Sequence, residues 1–228
     1  MSKFYIVGTP IGNLEDITYR AVKILGAVDF VLCEDTRVTK NLLTKYNLNT
    51  KTFSYPSDNL ASSEKIEQII NWLKEGKNLA LVTDAGTPAI SDPGFILVNK
   101  IRSELSDVEI ISIPGPSALV AALSIAGLDT SQFTFLGFLP HKKGRETLFK
   151  EIAAAERLMV FYESPHRILK ALESLGKFCP EKKVVLGREL TKVFEEVVSG
   201  KPAEIIKYFE LNPDKVRGEF VVMVEKKV

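Results

Sequence analysis

The chain has 228 residues, 45% of them hydrophobic, which is enough for one large or two small domains with ample cores. Lys and Arg (30) nearly balance Asp and Glu (29), so the net charge of +1 supplies no overall field toward nucleic acid or membrane, and any polyanion must be met by local patches. No apolar run approaches the roughly 20 residues of a membrane span and no secretory pattern opens the chain, so a cytoplasmic protein with no membrane partner is expected.

Short apolar, β-branched runs alternate with amphipathic segments, the pattern of βα units around a mostly parallel sheet. The first run, Phe4 to Val7, ends in the loop GTPIGNL, Gly8 to Leu14. Asp16 is the expected cap of a helix whose Ile17, Ala21, Ile24, Leu25 and Val28 recur at helical spacing. Phe30 to Cys33 is the next strand; its end carries EDTR, Glu34 to Arg37, before a helix from Val38 to Tyr46. Ile66, Ile69, Ile70 and Leu73 form one face of a helix that Gly76 ends ahead of the strand Leu79 to Val82. There follow the loop DAGTPAISDPG, Asp84 to Gly94, a helix from Phe95 to Leu105, and a strand from Val108 to Ile113. The turn PGPS, Pro114 to Ser117, leads into a small apolar helix, Ala118 to Ala126.

The second half changes character. Gln132 to Leu139 reads as a strand and HKKGR, His141 to Arg145, as a mobile positive loop. Strands at Leu158 to Tyr162, Val184 to Leu186 and Phe220 to Val224 alternate with helices near Arg167 to Leu175 and Ala203 to Phe209. Too few residues separate Leu190 from the run Phe194 to Ser199 for a helical crossover, so that run is expected to be antiparallel. The fold class is α/β: an N-terminal α/β domain over 1–114 with a mostly parallel sheet and a C-terminal one over 115–228 with a mixed sheet. Cys33 and Cys179 lie in apolar contexts without metal-like spacing and read as reduced core thiols, and no metal site is expected.

Three strand ends carry dense backbone punctuation: GTPIGNL, DAGTPAISDPG and PGPS. Open α/β proteins bind small molecules at the carboxyl edge of the sheet, so these loops are expected to face one ligand. A dinucleotide fingerprint fails, because Thr9, Pro10 and Ile11 separate Gly8 from Gly12, and Pro10 removes an amide where a pyrophosphate needs one. A P-loop is also missing from the sequence.

Taken in order, GTPIGNL, EDTR, DAGTPAISDPG, IPGPSA, YESPHR and GRELTK resemble the S-adenosylmethionine-dependent tetrapyrrole (porphyrin/corrin) methylase superfamily across nearly the whole chain. Within it they resemble the small-subunit ribosomal RNA 2′-O-methyltransferase I family. The resemblance implies two α/β/α domains with S-adenosylmethionine in a cleft between them, a homodimer, and methylation of a cytidine ribose in 16S rRNA of the small ribosomal subunit. It implies cofactor contacts at Gly8 and Pro10 in the first loop, at Asp84, Gly86, Thr87 and Ile90 in the loop after Leu79 to Val82, at Ser117 and Ala118, and at Tyr162, with Glu189 and Glu219 aligned less closely. Many relatives have Gly-Asp-Pro where this chain has Gly86, Thr87 and Pro88; Asp84 and Asp92 flank the substitution and are expected to brace the loop.

A ribose hydroxyl is a poor nucleophile while protonated, so a base within hydrogen-bond reach is expected, and Glu163, Asp35 and His166 are the candidates. Glu163 also stands i, i+4 to Arg167, and Asp35 also stands where it caps the next helix. Arg37, Lys142, Lys143, Arg145 and Arg167 are the expected RNA contacts, with Lys40, Lys45, Lys170, Arg188 and Lys192 in the same local clusters and Tyr55 and Phe138 as stacking candidates. The rival readings are a methylase acting on a tetrapyrrole carbon and an RNA-binding ribosome-assembly factor without turnover.

Overall fold

The computed structural model describes residues 1–55 and 63–227, and the chain divides into two compact units, Met1–Ser117 and Ala118–Val228. In unit 1 the strands β1 (Lys3–Val7), β2 (Phe30–Cys33), β3 (Lys51–Ser54), β4 (Leu79–Leu81) and β5 (Glu109–Ile113) pair in parallel in the order β3-β2-β4-β1-β5. Helices α1 (Tyr19–Ala27), α2 (Thr36–Lys45), α3 (Ser63–Lys74) and α4 (Gly94–Glu104) cover it.

Side chains that alternate along the strands sort the core into two faces. Val7, Val31 and Cys33 pack with Ala21, Leu25 and Leu42 of α1 and α2. Phe4, Leu32 and Leu79 pack on the other face with Ile69, Leu73, Leu97 and Ile101 of α3 and α4. Tyr55 joins this second cluster at 4% exposure, so it is a core residue with no face open for a base to stack on. The chain leaves β1 toward one side of the sheet and leaves β4 toward the other, so the carboxyl ends of these two neighbours mark the point where strand order reverses.

The cap of α1 lies two residues beyond its expected place. Asn13 caps a short 3-10 turn that takes up Leu14–Asp16, and the Thr18 hydroxyl then accepts from the Ala21 amide at 3.1 Å. Both cysteines are buried and free, and burial raises both thiols above their ordinary pKa. Among the described residues no cluster of metal-ligating side chains occurs and no helix is long and apolar enough to cross a membrane.

Unit 2 opens with α5 (Ala118–Ile125) and continues through β6 (Phe133–Phe138), α6 (Arg145–Ala154), β7 (Leu158–Glu163) and α7 (Ile168–Phe178). Then come β8 (Val184–Arg188), β9 (Glu196–Gly200), α8 (Pro202–Leu211) and β10 (Phe220–Val224). The sheet is mixed, in the order β6-β7-β10-β8-β9: β6 and β7 are parallel, and the other pairings, β9 on β8 among them, are antiparallel. Phe149, Phe161, Ile168, Leu172, Phe209 and Phe220 fill its core. A register shift between Phe135 and Phe138, with Gly137 at φ 64°, kinks the end of β6 and leaves Phe138 exposed beside Tyr162.

Candidate active site

The strand-end loops of unit 1 are fastened to one another by their backbones. Gly8 continues β1 by donating to the Ile113 carbonyl at 3.1 Å. Thr9 and Gly86 then exchange both backbone hydrogen bonds, at 2.9 and 3.1 Å, as an isolated antiparallel bridge. The Thr9 hydroxyl adds a bond to the Thr83 carbonyl at 3.0 Å. Gly8 and Gly115 touch face to face: a Cβ on Gly8 would stand 2.9 Å from the Gly115 Cα, and one on Gly115 would stand 2.8 Å from the Gly8 carbonyl oxygen. The Thr87 hydroxyl donates to the Pro116 carbonyl at 3.2 Å, so Thr87 joins the loop after β4 to the loop after β5.

The loop after β4 carries conformational strain. Ala89 and Ser91 both adopt left-handed backbone angles, at φ 67° and 55°, a conformation that costs a residue with a side chain about 1 kcal/mol or more. Between them Ile90 is 53% exposed, a large apolar side chain held out on a tight corner. The flanking acids act as braces: Asp84 Oδ1 accepts from the Asp35 amide at 3.1 Å, and Asp92 Oδ1 accepts from the Gly94 amide where α4 begins. Glu34 accepts from the Thr83 hydroxyl, a further tie between the β2 and β4 ends.

Asp35 caps α2. Its Oδ1 accepts from the Arg37 amide at 2.7 Å, and its carboxylate forks with the exposed Arg37 guanidinium. The Arg37 side chain and then the Arg37 amide hold the carboxyl at about 2, below its ordinary 3.8.

In unit 2 the charged residues meet at the end of β7. The Glu163 side chain is inaccessible to solvent. Its Oε2 accepts from Arg145 Nη1 and Nη2 at 3.4 and 3.3 Å, while Oε1 accepts from the Ser164 amide at 3.0 Å and lies 3.1 Å from Arg167 Nε. Tyr162, one residue earlier, offers its hydroxyl oxygen to the Leu119 amide at 3.2 Å in the first turn of α5, next to Ala118. Its ring packs edge-on against Phe135.

The basic residues expected at RNA therefore fall into two groups. Arg145 and Arg167 are turned inward onto Glu163, because a buried carboxylate without cations is far costlier than two guanidiniums withdrawn from solvent. Arg188 is buried against Glu196, and Lys192 joins Glu189 and Glu219 at 2.8 and 3.1 Å. Burial alone would raise the Glu189 carboxyl, but bonds from Lys192 and the Glu219 amide outweigh it and hold it below its ordinary value. Lys142 and Lys143 stay exposed, with no side-chain ion pair among the described residues. His166 is exposed in the turn between β7 and α7, and its ring makes no hydrogen bond among the described residues.

Sequence reasoning did not find Thr9, Gly115 or the Glu34–Thr83 tie. Thr9 and Gly115 stand inside punctuated loops, which is the one signal that marks them; their partners are set by the order of the strands.

A family model for tetrapyrrole (corrin/porphyrin) methylases matches residues 3–206. A Thermotoga maritima protein named ribosomal RNA small subunit methyltransferase I is 45% identical over 227 residues, covering 100% of both chains. A Bacillus subtilis protein of the same name is 40% identical over 228 residues, which are 99% of this chain and 75% of that one. Among solved structures, a cobalt precorrin-4 methyltransferase of cobalamin biosynthesis superposes with a TM-score of 0.69 at 19% identity, over 98% of this chain and 94% of that one. A uroporphyrin-III C-methyltransferase from Thermus thermophilus does so with a TM-score of 0.64 at 20% identity and the same coverage, 98% and 94%. At such identity these two establish the shared fold alone.

Proposed function

Because the chain belongs to the ribosomal RNA small subunit methyltransferase I family of tetrapyrrole methylases, S-adenosylmethionine-dependent methyltransferases, we propose that it methylates the 2′-hydroxyl of a cytidine ribose in 16S rRNA of the small ribosomal subunit. The observation that carries the reading is the mutual fastening of three strand-end loops in unit 1, a rigid corner made of backbone. The same resemblance carries a cytoplasmic homodimer, which sedimentation of the purified protein tests.

The donor set of this corner suits S-adenosylmethionine. Thr9 has its amide and carbonyl committed to Gly86 and Pro10 has no amide, so the first loop offers no array of donors for a pyrophosphate. An exposed Asp84 carboxylate, neutral backbone edges and the apolar Ile90 fit a ligand with a cationic sulfur, a hydrogen-bonding nucleoside and a flat adenine face. Gly8, Pro10, Asp84, Gly86, Thr87, Ile90, Ser117, Ala118 and Tyr162 are the residues proposed to hold it. When bound, the cofactor supplies an activated methyl group on a positive sulfonium and its own leaving group. The residues supply position: an acceptor oxygen held about 3 to 3.5 Å from the donor carbon gains roughly 7 to 11 kcal/mol from proximity.

A proton must leave the ribose hydroxyl as the bond forms. Asp35 and Glu163 have their carboxylates taken up by arginines, whereas the His166 ring is uncommitted among the described residues, so His166 is the proposed acceptor. His166→Asn should then lower kcat and leave cofactor affinity in place. Lys142 and Lys143 would meet phosphates, and the 2′-hydroxyl would mark the substrate as RNA.

Transfer from labelled cofactor to small ribosomal subunits, free rRNA and a porphyrin precursor tests the whole reading. Label in RNA together with an alkali-resistant bond beside one cytidine supports it. Label confined to the porphyrin overturns it in favour of tetrapyrrole methylation, and tight RNA binding without transfer overturns it in favour of an assembly factor.

A further inference from the structure

Glu163 occupies the end of β7 with no lone pair left for a substrate. Arg145 takes one oxygen, and Arg167 with the Ser164 amide takes the other. With Oε2 engaged by Arg145 and Oε1 by Arg167 and the Ser164 amide, the carboxylate has no free position at which to receive a ribose hydroxyl.

The same two arginines reach past Glu163 to the chain that leaves β6. Arg145 lies 5.2 Å over the Phe149 ring and donates to the Pro140 carbonyl at 3.2 Å. Arg167 donates to the carbonyls of Leu139 and Pro140, and its Nη1 stands 3.3 Å from His141 Nε2. Planar guanidiniums with donors in fixed directions transmit orientation in a way a lysine would not. The carbonyls they grip lie two or three residues before Lys142, and the Lys142 carbonyl accepts from the Arg145 amide at 3.2 Å as α6 begins.

We propose that Glu163 is a positioning residue: it anchors Arg145 and Arg167, which clamp Leu139 and Pro140 and so fix the loop that presents Lys142 and Lys143 to RNA phosphates. This rests on the RNA substrate proposed above. The negative charge that matters to the reaction acts at a distance, through the shape of a positive loop.

Glu163→Gln keeps the shape of the side chain and removes its charge. RNA affinity should weaken several-fold, and the slope of log K against log salt should become shallower by about 0.7 for each phosphate no longer engaged. Turnover at saturating RNA should fall far less than affinity, and the acid limb of its pH profile should persist. A large loss of kcat with RNA affinity unmoved, together with disappearance of that limb, overturns the inference and makes Glu163 the base. Should Glu163→Gln fail to fold, Arg145→Met, which leaves Glu163 paired with Arg167, is expected to show the same shallower slope; an unmoved slope there overturns the inference. Wild-type protein that transfers no methyl to small subunits overturns the substrate reading and this inference with it. An active wild type whose variants keep their full salt slope overturns this inference alone.

Discussion

The loops at the strand ends of the two units are made of different material. In unit 1 the closest contacts are peptide against peptide, with side chains only bracing them: Thr9 bridges Gly86, and Gly8 lies on Gly115 with no room for a methyl group. In unit 2 they are side chain against side chain: Arg145, Glu163 and Arg167 at the end of β7, and Glu189, Lys192 and Glu219 at the end of β8. A contact of backbone on backbone does not itself respond to salt or to pH, and it fails when a carbon atom is added. A corner of ion pairs tolerates added bulk and fails when a charge is removed. The first suits a ligand recognised by shape; in the second the clustered cations are spent on acids, and it is the exposed Lys142 and Lys143 beside them that are left to meet a polyanion.

The largest effect is expected where that contrast is sharpest. In Gly8→Ala the new Cβ would lie 2.9 Å from both Cα and N of Gly115, and the Ile113 hydrogen bond leaves the backbone little freedom to yield. Overpacking of this kind costs about 1 to 3 kcal/mol. The denaturant midpoint should fall by the corresponding amount with an unchanged m-value, and calorimetry should find S-adenosylmethionine binding abolished. Full cofactor affinity in the variant would show that the corner is not where the cofactor is held.

Unit 2 also contains backbone-limited glycines, and Gly218 among them tests whether the contrast is too simple. Gly218 has φ 83°, and a Cβ there would stand 2.3 Å from Cδ of Glu189, which Lys192 and the Glu219 amide hold in place. Gly218→Ala should cost about 1 to 2 kcal/mol from the left-handed conformation alone, read from chemical unfolding. Because Glu189 must move, the Lys192 ion pair should break with it. A variant as stable as the wild type would mean that the charged cluster rearranges freely.

Removing the exposed charges should leave stability almost untouched. Lys142→Ala with Lys143→Ala is expected to change unfolding by no more than about 0.5 kcal/mol, as for other open surface sites. The salt slope of RNA binding should nonetheless fall by about 0.7 for each phosphate set free. An unchanged slope would return this loop to the ordinary solvated surface.

The division between what local sequence encodes and what it leaves out follows the same contrast. Period and punctuation mark β1, β2, β4 and β5 and the loops after them, because alternation and glycine-proline turns are local properties. They mark β9 as antiparallel through the shortness of its connection. They do not show that Thr9 bonds Gly86, 77 residues away, since that pairing exists only once β1 and β4 are neighbours. Nor does a basic run show which way its side chains turn. Arg145 reads as part of a positive loop, yet Glu163, 18 residues on, draws it inward while Lys142 and Lys143 stay outside. Tyr55 at a strand end carries the pattern of a stacking residue and is taken by the α3 and α4 face of the core. Asp16 stands at a spacing that suits a helix cap, but Thr18 is nearer the first helical turn and caps it.

The smallest expected effect comes from the ion pair exposed on the backbone-built unit. Arg37 holds the Asp35 carboxyl at about 2 when folded, against 3.8 ordinarily, so this is a depressed acid. Its contribution to stability is complete above the unfolded value and drains away as pH falls through the folded one, a window between about pH 4 and pH 2. Asp35→Asn retains a side-chain oxygen to cap α2 and removes the charge. Wild type should therefore exceed the variant in unfolding midpoint at neutral pH, and the gap should close across that window. A gap that persists to about pH 2 would assign the difference to cap geometry rather than to charge. So acidic a carboxylate is also a weak proton acceptor, and the variant should lose little turnover; a large loss would bring Asp35 back as the base and place a charge-dependent step on the unit otherwise built from backbone.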